Sequence, residues 1–132
     1  FNAIAGSQML SSYCSWNPET KEEKLALFNA TNNPDARLAE MINMEIDMVH
    51  VYVEQIEMVN QTTGCPEIVP RIVIIDKDGK SYQCVSKGIF NGLRKLFMPN
   101  CMGMPETWTE PVRIRIKQVK KDKNSILVIE AC

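Results

Sequence analysis

The chain has 132 residues, 15 Lys and Arg against 16 Asp and Glu, and 45% hydrophobic residues, the make-up of one globular domain with a real core. No apolar run approaches the roughly 18 to 20 residues of a membrane span, and this hydrophobic content excludes a disordered tail. Taken whole, the formal charge of −1 argues against a nucleic-acid binder. The charge is unevenly divided, however. Residues 1–70 hold three bases and ten acids (−7), and residues 71–132 hold twelve bases and six acids (+6). Such asymmetry points to a polyanion-facing side opposite an acidic one, or to two halves that neutralise each other.

The first fifteen residues, interrupted by Gly6, Ser7, Ser11, Ser12 and Ser15, read as an arm. Asn17-Pro18, or Thr20 with Glu23 three residues on, offers a helix start ahead of Leu25, Leu27 and Phe28. A second start at Asn33-Pro34, with Leu38, Met41, Ile42 and Glu45 at helical spacing, predicts a short helix from Pro34 to about Met44. From Ile46 the period becomes that of a strand. Val49, Val51 and Val53 alternate, Ile56 and Met58 take the opposite parity, and a β-bulge near Glu54-Gln55 is expected. After a loop at residues 60–66, the strand from Val69 to Ile75 and the strand from Ser81 to Ser86 flank Asp78-Gly79, the signature of a type I′ hairpin turn. A calcium loop does not fit there, because Gly79 is misplaced and no glutamate closes it.

Beyond Lys87-Gly88, the residues Ile89, Leu93, Leu96 and Phe97 form one helix face, ending before Pro99. A breaker-rich loop over 99–110 carries Trp108. Val112, Ile114 and Ile116 then alternate with Arg113, Arg115 and Lys117 in the clearest strand of the chain. A basic turn over 120–124 leads to a last strand from Ile126 to Glu130. The expected architecture is mainly β: an OB-fold-like five-stranded barrel with one helix between strands 3 and 4, in residues 46–132, preceded by an acidic, helical N-terminal segment, residues 1–45.

Cys14, Cys65, Cys84, Cys101 and Cys132 form no C-x-x-C pair, which argues against a zinc ribbon or finger. They read as reduced thiols of a cytosolic protein, with Cys84 in the core and Cys132 exposed. No basic stretch followed by an apolar one opens the chain, so no export signal is expected. The single histidine, His50, lies inside a strand, and no nucleophile elbow, H-E-x-x-H, P-loop or G-x-G-x-x-G is present. The expectation is a protein without catalysis, metal or cofactor.

The basic residues carry more. Arg113, Arg115 and Lys117 share one strand face at intervals of roughly 6 to 7 Å, close to the phosphate step of an extended single strand. Arg71, Lys77, Lys80, Lys87, Lys120 and Lys121 fall on neighbouring elements, and Tyr52, Tyr82 and Trp108 supply flat π-faces among them. A positive groove plus stacking platforms is what binding of single-stranded nucleic acid without sequence preference requires. These twelve residues are the candidate site.

The stretch from Pro70 through Asp76-Lys77-Asp78-Gly79-Lys80 to Phe90, with Leu93 to Phe97 and Pro105-Glu106-Thr107-Trp108-Thr109-Glu110-Pro111-Val112, is similar to single-stranded DNA-binding proteins of tailed bacteriophages. The resemblance spans about residues 20 to 130. It implies an OB-type domain that coats single-stranded DNA during phage genome replication in the bacterial host cytoplasm, with replication proteins or a second copy as further partners. The chain ends at Ile129-Glu130-Ala131-Cys132, without the acidic tail by which many bacterial single-strand binders recruit partners. Recruitment would then fall to the acidic N-terminal segment, and Met98 to Met104 form a Met-rich loop with no assigned role. The competing reading is a protein-interaction module, an inhibitor or replication adaptor, that uses that acidic face.

Overall fold

The computed structural model describes residues 13–121 and 124–131. Most of the predicted arm and Cys132 lie outside them. In chain order the elements are β1 (Tyr13–Cys14), α1 (Lys21–Asn32), β2 (Ala36–Arg37), a 3-10 turn (Leu38–Met41), β3 (Glu45–Val59), β4 (Pro66–Asp76), β5 (Ser81–Val85), α2 (Lys87–Leu96), a 3-10 turn (Pro105–Thr107), β6 (Val112–Lys121) and β7 (Asn124–Ala131). The strands form a curled open sheet in the order β2-β5-β4-β3-β6-β7, with β1 added to β3. This mainly β sheet with two helices is consistent with an OB-like fold, although it has seven strands rather than five. The two extra strands come from residues before 46. The expected helical lead-in therefore contributes to the sheet itself.

Thr20 is the N-cap of α1, accepting a 3.1 Å hydrogen bond from Glu23 N–H, so the start lies at Thr20 rather than at Asn17-Pro18. The second predicted helix, Pro34 to Met44, does not form. Asp35 is drawn alongside β5: its N–H donates to the Ser81 carbonyl at 3.0 Å and its carboxylate accepts from Ser81 N–H at 2.9 Å. The helical spacing of Leu38 and Met41 is spent on one 3-10 turn that buries Leu38 completely. Tertiary pairing overrides the local pattern.

β3 and β4 pair in uninterrupted register from His50 with Ile75 to Val59 with Pro66, and the slip falls between Met48 and His50. The bulge is thus at Val49, not near Glu54-Gln55. Ile46 and Met48 before it and Val51 and Val53 after it all reach the main core, while Val49 turns to the other face. Ile56 and Met58 change parity because the β3–β4 hairpin runs past the core there; Met58 is 47% exposed. In β4, Ile72 and Ile74 join the main core, and Val73 and Ile75 pack beneath Ala30 of α1, so the strand is apolar on both faces. In the β4–β5 turn only Gly79 has positive φ (83°) and its N–H donates to the Asp76 carbonyl, whereas a type I′ turn needs positive φ at Asp78 as well. The geometry is that of a type I turn closed by a bulge glycine.

α2 begins at its Ser86 cap and buries Ile89, Phe90 and Leu93 against the sheet. It also lies against β7, and two glycines one helical turn apart permit the approach. A Cβ at Gly88 would stand 2.3 Å from the Leu127 carbonyl oxygen, and one at Gly92 would stand 2.8 Å from the Ile129 side chain. Gly88→Ala gains helix propensity of about 1 kcal/mol but collides with backbone that cannot swing aside. The net expectation is destabilisation by about 1 to 3 kcal/mol in urea unfolding. Asn91→Ala, on the exposed side of the same helix, should stay within about 0.5 kcal/mol of the parent.

Candidate nucleic-acid interface

β6 alternates as the sequence requires: Val112, Ile114 and Ile116 are buried, and Arg113, Arg115 and Lys117 face outward. Antiparallel pairing sets Arg113 opposite Asp47 and Arg115 opposite Glu45 on β3, and Arg115 opposite Glu130 on β7. A ladder of ion pairs results. Arg113 contacts Asp47 at 2.8 Å and Glu45 at 3.4 Å, Arg115 contacts Glu45 at 2.9 Å and Glu130 at 3.7 Å, and Lys117 contacts Glu130 at 2.7 Å. Lys77 closes the row at 3.3 Å from Asp47. Glu45 and Asp47 of the −7 half thus meet Lys77, Arg113 and Arg115 of the +6 half in one face. The Arg113 guanidinium, then Lys77, holds the Asp47 carboxyl below its ordinary range, and Lys117 does the same for Glu130.

Of the three aromatic candidates, Tyr82 is buried, its hydroxyl donating to Asp76 at 2.9 Å, and it presents no face for stacking. Tyr52 is half-buried beside α1, donates to Glu54 at 2.9 Å, and is pushed up to about 12 by burial and then by that carboxylate. Trp108 is half-buried; its ring meets Phe97 edge-on at 5.8 Å and its Nε1–H donates to the Met102 carbonyl at 3.0 Å. Tyr13 of β1 donates to Glu106 and so clips the Trp108 turn to the sheet. An aromatic the sequence reading passed over is Trp16, stacked on His50 with centroids 5.0 Å apart and planes 5° from parallel. It fell next to the segment read as an arm. Burial lowers the His50 pKa, so at neutral pH the pair is an uncharged aromatic stack.

His50 and Trp108 both line a groove of about 500 Å³ with Ser15, Asn17 and Pro111. Through Glu110 and Pro111 it adjoins a second groove of about 600 Å³ lined by Lys77, Arg113, Glu45 and Asp47. Both lie where β3 changes partner, from β6 at residues 45–48 to β1 at residues 52–53. The structure therefore gathers Trp108, Lys77 and Arg113, with Arg115 and Lys117 continuing along β6.

Other predicted residues stand elsewhere. Arg71 is engaged within the fold, bonded to Glu54 at 3.0 Å, to the Thr31 carbonyl at 2.6 Å and to Gln83, fastening α1 to the sheet. Lys80 lies 5.7 Å over the Tyr82 ring and Lys87 pairs with Glu67. Lys120 is exposed on β6, and the Lys121 side chain lies outside the described residues. Cys84 packs against the core, where burial pushes its thiol up to about 12. Among the described residues no group of three or more His, Cys, Asp or Glu is placed to hold a metal, and no helix is long and apolar enough to cross a membrane.

The family model described as phage single-stranded DNA-binding protein matches residues 3–129. No curated protein and no solved structure matches the chain.

Because the folded pKa values of Asp47 and Glu130 lie below their unfolded ones, the ladder contributes stability above the ordinary values of 3.8 and 4.5 and loses it as pH falls through the folded values. Urea midpoints should decline on acidification below about pH 5. The decline should be shallower in an Asp47→Asn/Glu130→Gln variant, and identical pH profiles would show that the ladder contributes nothing.

Proposed function

The chain belongs to the phage single-stranded DNA-binding protein family, and from that membership we propose that it coats single-stranded DNA without sequence preference during phage replication inside the host cell, by stacking and phosphate exchange. On this reading β3, β4, β5, β6 and β7, with α2 between β5 and β6, are the OB elements, and β1, α1 and β2 brace them. The observation that carries the proposal is the continuity of the His50 and Trp108 groove with the cation row of Lys77 and Arg113.

A base entering the first groove meets the Trp108 ring and the His50 edge of the Trp16 stack. Backbone phosphates then run along Arg113, Arg115 and Lys117, whose spacing follows the strand. Each phosphate replaces a carboxylate of Glu45, Asp47 or Glu130 as partner. The pairs of Arg115 with Glu45 and of Lys117 with Glu130 are exposed and cost little to open, so the exchange there is reversible and salt-sensitive, as a protein that must be displaced by a polymerase requires. No step of this binding needs a nucleophile, a general base or a metal.

The test is titration with oligo-dT. Trp108→Ala is expected to lose about 1 to 3 kcal/mol of affinity, roughly 5- to 150-fold, with most of the emission change on binding lost. In Arg113→Gln/Arg115→Gln/Lys117→Gln the slope of log affinity against log salt should shrink by about 2. Unchanged affinity in the first and an unchanged slope in the second would move the interface off this face.

A further inference from the structure

A separate groove of about 530 Å³ runs along the C-terminal half of α2 and shares no lining residue with the two grooves beside β3. It is lined by the apolar side chains of Phe97, Met98, Pro99 and Met104 and by Asn91, Arg94 and Lys95. Among the described residues neither Arg94 nor Lys95 has a carboxylate within 4.0 Å, in contrast to the cations of the β6 ladder. Met98 is 52% exposed and the neighbouring Met102 48%. We propose that this groove docks a short acidic segment of another protein, with Leu or Phe side chains on the thioethers and carboxylates on Arg94 and Lys95.

Three features favour a peptide over nucleic acid. The only aromatic ring in the lining, Phe97, is 3% exposed, and Trp108 packs against it, so no flat face is offered to a base. Two cations on one helix turn make no track for a phosphate backbone, which needs a row of them. Methionine is unbranched and polarisable and repacks around varied apolar side chains, the property of adaptable peptide grooves. Arg94, whose guanidinium lies 5.9 Å over the Phe90 ring, and Lys95, neither held by a carboxylate among the described residues, supply complementarity to an acidic partner and exclude a basic one. The Met-rich loop, which the DNA-binding reading leaves unused, thereby acquires a role.

The probe is a short fluorescein-labelled peptide in which Leu and Phe alternate with pairs of Asp, followed by anisotropy against the whole chain. Its control replaces every Asp by Asn. The Asp peptide should bind and the Asn peptide should not. Arg94→Glu/Lys95→Glu should weaken the Asp peptide about tenfold or more while leaving oligo-dT affinity and the thermal midpoint unchanged. If the reversed charges unfold the protein, Arg94→Gln/Lys95→Gln serves instead. No binding of the Asp peptide, equal binding of both peptides, or loss of oligo-dT affinity in the variant would each overturn the assignment. The oligo-dT arm on the parent chain reports the proposed function independently.

Discussion

The slip at Val49 is the constraint on which the remaining geometry depends. A strand places alternate side chains on opposite faces, so without an inserted residue Ile46 and Met48 could not share a core with Val51 and Val53. With it, one strand of 15 residues keeps a buried face on both sides of the slip. The same point marks where the free edge of β3 passes from β6 to β1, Ser15 bridging to Val51 by two hydrogen bonds. His50 and the groove toward Trp108 lie at this change of partner. Packing thus fixes where the sheet edge opens, and the opening is what a ligand can enter.

On the proposed reading, electrostatics in this chain work by exchange rather than by excess. A basic surface binds polyanions through unsatisfied charge, but here four cations, Lys77, Arg113, Arg115 and Lys117, interleave with three carboxylates, Glu45, Asp47 and Glu130. In the unbound protein the ladder satisfies itself, which reconciles a total charge of −1 with membership of a DNA-binding family. The proposed phosphate contacts come at the expense of pairs of which the exposed ones are each worth little in water. By the same logic Arg94 and Lys95, lacking such partners, mark a surface of a different kind.

Much of the fold was legible in the sequence where one physical signal dominated. The alternation of β6 and the one-sided face of α2 follow from local pattern alone, and the start of α1 at Thr20 was one of two that the pattern offered. Three features were not legible because they depend on contacts that form only once the strands have paired. Pro34 to Met44 has helical spacing, yet Asp35 is captured by Ser81; the valines at 49, 51 and 53 look in phase, yet β4 imposes the slip; Tyr82 looks like a surface aromatic, yet its hydroxyl finds Asp76 inside. For the site, the position of the cations on β6 was readable. The carboxylates opposite them were not, since cross-strand register links residues 45 and 47 to 115 and 113. Trp16 could have been found only by noticing that a tryptophan seldom ends in solvent.

The exchange itself is tested most directly by removing the carboxylates and leaving every cation in place. In a Glu45→Gln/Asp47→Asn/Glu130→Gln variant, Lys77, Arg113, Arg115 and Lys117 lose the ladder carboxylates that a phosphate must displace. Oligo-dT affinity at low salt should rise several-fold over the parent, with a steeper salt dependence. Affinity that is unchanged or weaker, in a variant whose thermal unfolding remains cooperative, would contradict binding at this face.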